Sequence, residues 1–224
     1  MESSEQKARL MGILAFVQLA LLIVPYVILD QGMKTEYLTT AAGMSATIKT
    51  AIFLLFGTAT VTMAIAITAY PVFRKQSQQW TILFLAISVV WFVMQCLDNA
   101  FILSMLSLSR RYVENAGANA DLYNLLAAQT RSTRIWVHYT ELLVFDLWFA
   151  LFYSILLRFR LVPRWISLIG LLAVVLHLVA IPLPMFIGYP ATQPLGASLA
   201  VSHLLVGGWL LAKGFPETRH IGDA

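Results

Sequence analysis

Six ionisable side chains stand inside long apolar stretches of this sequence: the acids Asp98, Glu141 and Asp146, and the histidines His138, His177 and His203. An acid at the centre of a membrane helix costs about 2.5–3.5 kcal/mol on insertion scales. Their local spacing is informative. Gln95, Asp98 and Asn99 fall on one face of a helix, with Trp91 and Ile102 one turn to either side. His138 and Glu141 are close enough along a helix to touch, whereas Asp146 lies about 140° round from Glu141 on a regular helix. That helix therefore presents acids to two neighbours.

Three uses are open to such residues. They can be packing groups, each tied to a polar neighbour. They can line a polar cavity for proton exchange, transport or acid–base work on a lipophilic substrate. An acid shielded from water keeps a deliverable proton, and histidine is a suitable exchange partner. In that use Asp98, Glu141, Asp146 and His138 are the acid–base candidates, and Gln95, Asn99, Trp91 and Ile102 the substrate-binding ones. Finally, His177 and His203, completed by Asp98 or Glu141, can ligate zinc, iron or copper, or two histidines can hold a haem. No ligand pair has an HExxH-like spacing, and the sequence contains no phosphate loop, GxSxG or dinucleotide fingerprint. Whether the chain is an enzyme stays open.

The elements that must hold these residues are membrane helices. Of 224 residues, 59% are hydrophobic and 12% charged, about half the charged share of a soluble domain. Six apolar runs approach the ~20 residues that span a bilayer: 10–29, 51–73, 80–108, 136–157, 166–186 and 195–211. The expected fold is all-α, a six-helix transmembrane bundle forming a single integral membrane domain over 1–224. The first run lacks a small-x-small cleavage site and reads as a retained helix. The third exceeds the bilayer and should tilt or project. The connections 30–50 and 109–135 read as long outer loops, the second with Leu122, Leu125 and Leu126 at the spacing of a short amphipathic surface helix. Pro182 and Pro184 should open the outer end of the fifth helix.

With the N-terminus inside, nine Lys and Arg fall on the inner side and six on the outer, which favours N-in/C-in. The charge of +4 is topological and implies no nucleic acid. Cys96 is the single cysteine, so an intrachain disulfide or thiolate zinc site is excluded. On the assumed topology Gln95 and Asp146 lie near the midplane, Asp98 roughly 6 Å outward and Glu141 about 8 Å outward. His177 and His203 fall near the middles of the last two helices. Four helices thus contribute polar residues to one depth zone, the midplane and outer half. Partners implied are the lipid bilayer and a lipophilic small molecule, with a homo-oligomer or partner membrane subunit as a further expectation.

Two stretches carry a family likeness. KARLMGILAFVQLALLIV opens the chain, and FDLWFALFYSILLRFRLVPRWISLIGLLAVV includes a basic helix end and a Pro-Arg turn at Arg158, Arg160, Leu161, Pro163 and Arg164. Both resemble an uncharacterised bacterial multi-pass membrane family, domain of unknown function 4386. The resemblance implies a bacterial cytoplasmic-membrane protein of six or so helices. It implies no activity and transfers no site residue.

Overall fold

The computed structural model of the chain describes residues 4–33, 36–187 and 192–216. These are helical almost throughout, and no strand occurs among them. The elements are α1 (Ser4–Gly32), α2 (Tyr37–Thr40), a 3-10 turn (Ala41–Met44), α3 (Ser45–Gln76), α4 (Gln78–Glu114), α5 (Ala120–Arg158), α6 (Arg164–Ala180), α7 (Pro182–Ile187) and α8 (Thr192–Lys213). Six helical stretches are long and apolar enough to cross a membrane. Their large apolar residues face outward, as in Phe53 (76% exposed) and Ile67 (63%), while Gln18, Thr62, Gln95, Asp98, Glu141 and Asp146 are buried. That inversion of the soluble pattern follows when hydrocarbon replaces water at the surface.

The connections differ from the sequence expectation. Residues 30–50 are largely helical, through the end of α1, α2, the 3-10 turn and the start of α3. Residues 109–135 are not a loop bearing a separate surface helix. Helix α4 continues to Glu114, and α5 already begins at Ala120 and runs unbroken for 39 residues. Nothing stops it: no glycine or proline occurs from Ala120 to Arg158. At 1.5 Å per residue, α5 is about 58 Å long, well beyond a 30 Å hydrocarbon core. The leucines at 122, 125 and 126 are the first turns of this spanning helix. The turn joining α4 to α5 needs positive φ at Ala116 (48°), Gly117 (74°) and Asn119 (58°). Helix α6 stops at Ala180, just before Pro182.

The chain forms two compact units. The first holds the described residues of Met1–Phe16, Ala64–Ala86 and Asp146–Ala224; the second holds Val17–Met63 and Ile87–Phe145. In the first, aromatic rings make the core. Trp148 stacks on Phe152 at 5.4 Å between centroids and 11° between planes, and Phe84 packs on both. Tyr153 donates to Ser202 Oγ at 3.0 Å, and Ser202 donates to the Leu199 carbonyl at 2.8 Å. Gly170 on α6 lies flat against the Tyr153 ring, where any Cβ would collide.

In the second unit, Leu29, Tyr37, Ile48, Leu55, Ile102 and Met105 form an apolar core. Polar links stitch its helices. Gln18 donates to Thr62 Oγ1 at 2.5 Å, and the Ala42 amide donates to Ser109 Oγ at 2.9 Å.

Candidate functional site

The second unit buries an acid–base cluster between α4 and α5. Asp98 projects from the face of α4 that also carries Trp91, Gln95, Asn99 and Ile102, and all five are buried. Facing it, Arg134, His138 and Glu141 occupy consecutive turns of one face of α5. Arg134 Nε and Nη2 donate to Asp98 Oδ1 at 3.0 Å and Oδ2 at 3.1 Å, a two-pronged ion pair. His138 Nδ1 lies 3.2 Å from Glu141 Oε2 and 3.8 Å from Asp98 Oδ2. Tyr26 of α1 adds a wall, its ring tilted at 49° and 5.7 Å from the His138 ring.

Exposure separates the members. The side chains of Asp98 and Glu141 are 0% and 3% accessible, while that of His138 is 23% accessible. His138 is therefore the most accessible member of the cluster. Two carboxylates face one guanidinium, a formal charge of −1 with both acids ionised and His138 neutral, and of zero with one proton on the His138–Glu141 pair.

Neighbouring polar groups are partly satisfied. Gln95 Nε2 donates to Asn99 Oδ1 at 3.4 Å. Gln95 Oε1 is buried with no hydrogen-bond partner among the described residues. It leaves an acceptor on the Asp98 face, one turn away. Ile102 instead belongs to the apolar core, and Trp91 packs against Phe145 at 5.4 Å.

The remaining expected residues lie in the first unit. Asp146 Oδ1 accepts from or donates to His177 Nδ1 at 2.7 Å, with both side chains buried. The edge of that imidazole rests on Gly196, where a Cβ would come within 3.1 Å of Cδ2. His203 sits two turns further along α8, about 10 Å at helical rise, edge-on to Phe149 at 5.2 Å and facing the Ala15 backbone. The polar residues expected in one depth zone thus fall into two groups, one in each unit. The structure brings Asp98, His138 and Glu141 together, pairs Asp146 with His177, and sets His203 between the Phe149 ring and the Ala15 backbone.

Metal ligation was expected at His177 and His203. Among the described residues, the group whose ligand atoms lie within 4.8 Å of one another is Asp98, His138 and Glu141. That donor set suits zinc or iron by type. Its electrostatics do not: both Asp98 oxygens are already held by Arg134, whose charge would stand beside the cation. Among the described residues, the His177 imidazole lies between Asp146 and Gly196.

Arg134 is the residue the sequence reading missed. Its position falls within 109–135, which the sequence alone reads as an outer loop. It stands one helical turn before His138 and two before Glu141, so extending α5 back to Ala120 reveals it. Tyr26 had no such signal.

Six membrane-length helices with acids and histidines buried among them define a multi-pass membrane protein. Residues 9–214 match the family described as Domain of unknown function (DUF4386), and the chain belongs to that family. No curated protein and no solved structure matches it.

Proposed function

We propose that this protein handles protons in the bacterial cytoplasmic membrane, with Glu141 as the buried acid, His138 as its relay and Asp98–Arg134 as the fixed pair that poises them. One observation carries the reading: His138 Nδ1 sits between Glu141 Oε2 and Asp98 Oδ2, while Arg134 already neutralises Asp98. A single proton then shuttles between an imidazole that reaches the surface and a carboxyl that does not. Gln95 Oε1 offers the acceptor that would orient a hydroxyl or amide of a lipophilic substrate. The use is acid–base chemistry on such a substrate. Both termini lie in the cytoplasm on this reading. Its support is the Lys/Arg distribution, strengthened because Arg134, tied to Asp98 and only 18% accessible, drops out of the six outer positions and leaves five.

The two-pronged Asp98–Arg134 pair favours a second reading, in which the cluster only locks α4 to α5, as in a non-catalytic transport or accessory subunit. Infrared difference spectra of the protein in bilayers, taken between acid and neutral pH, separate the two. Proton exchange gives a carboxyl band that disappears in Glu141→Gln, shifts in His138→Gln and persists in Asp146→Asn. A spectrum unchanged by Glu141→Gln sinks the proton reading and leaves the structural one.

A further inference from the structure

The second unit also carries a cleft of about 670 Å³, bounded by Glu36, Tyr37, Tyr112, Arg131, Ser132 and Ile135 among others. Asp98, His138 and Glu141 do not line it. Its volume falls in the range of small-molecule sites, about 300–1,000 Å³.

Two features specify an occupant. The first is charge. The cleft presents one acid, Glu36, and one half-buried base, Arg131, and neither closes an ion pair among the described residues. Opposite charges lining one cleft without neutralising each other complement a ligand that carries both signs. The guanidinium fork matches a phosphate, and a carboxylate accepts from an ammonium. The second is setting. Tyr37 spends its hydroxyl on the Ala127 carbonyl at 3.1 Å, so its ring serves as wall. Ile135 and Leu38 add apolar wall beside it. Trp136, next after Ile135, is 56% exposed and packs edge-on with Tyr139. Exposed tryptophan with tyrosine marks the level where headgroups meet acyl chains.

We propose that this cleft binds a zwitterionic phospholipid of the ethanolamine type, its phosphate on Arg131, its ammonium on Glu36 and the start of an acyl chain along Ile135. A tail-less zwitterion would share the charged contacts and lack the apolar one. The site stands independently of the proton cluster, so either can fail alone.

The test is native mass spectrometry of the full chain in detergent, titrated with phosphatidylethanolamine, phosphatidylglycerol and glycerophosphoethanolamine. Wild type should hold phosphatidylethanolamine about tenfold or more tighter than either alternative, the worth of one charge-assisted contact. Arg131→Gln should weaken it by a similar factor at an unchanged melting temperature, which excludes misfolding as the cause, with Arg131→Lys, which keeps the charge and loses the fork, intermediate. Glu36→Gln, at an exposed position, should erase the preference over phosphatidylglycerol. Equal binding of the two lipids by wild type, or a preference that survives Glu36→Gln, overturns the proposal. So does tail-less headgroup binding as tight as the lipid, which would assign the cleft to a soluble zwitterion.

Discussion

Both units set a carboxylate against a histidine, and the two pairs differ in how far they are sealed from the surface. In the first, Asp146 and His177 meet at 2.7 Å with side chains only 2% and 7% accessible. One acid and one base make a pair whose net charge is zero whichever partner holds the proton. In the second, two acids share one guanidinium and one imidazole, and His138 reaches the surface. With Arg134 neutralising Asp98, the His138–Glu141 pair likewise balances when it holds one proton; what differs is that its imidazole is accessible. A buried Asp–His contact is therefore not a functional signal by itself. What distinguishes the two pairs is the exposure of the histidine and the fixed ion pair beside it.

The largest effect expected of any test of this contrast is at Arg134. Arg134→Leu strands Asp98 without its counter-ion and should cost about 3–5 kcal/mol, the penalty for breaking a buried pair from one side. The double variant Arg134→Leu/Asp98→Leu should recover most of it, as read from thermal melting in detergent. Equal loss in single and double variants would show that the pair carries packing rather than charge. In the first unit, Gly170→Val drives a side chain into the Tyr153 ring and should cost about 1–3 kcal/mol, while Gly43→Val, where nothing lies within 4 Å, should not. Asp146→Asn keeps a hydrogen-bonding group opposite His177 and should cost about 1–3 kcal/mol without altering any pH-linked carboxyl band from the second unit. Ser202→Ala removes the acceptor of Tyr153 and should cost about 0.5–1 kcal/mol, the usual worth of a polar contact between membrane helices. Smallest of all, zinc or ferrous iron should leave the melting temperature unchanged. A stabilisation abolished by His138→Gln would reassign the cluster to a metal.

Much of this was legible in the residues. Asp98, Gln95 and Asn99 share a buried face because their spacing follows the helical repeat, and His138–Glu141 contact follows from the same rule. The divergence of Asp146 from Glu141 was also readable: about 140° of rotation sends it to a different partner, and that partner is His177. Arg134 was obscured because arginine beside polar residues reads as a loop, and no local feature showed that its guanidinium would turn inward. The small residues Gly170 and Gly196 carried no sign of which ring each would receive.

Composition and periodicity by themselves determined that the chain spans a membrane six times through helices, since hydrocarbon admits only segments that satisfy their own backbone hydrogen bonds. They also determined which side chains share a helix face, because that depends only on rise and rotation. Which helix faces which was a tertiary decision. Asp98 met Arg134, His138 and Glu141, and His177 met Asp146, because interhelical packing turns on side-chain shape and charge summed over surfaces distant in sequence, and no local window contains that sum.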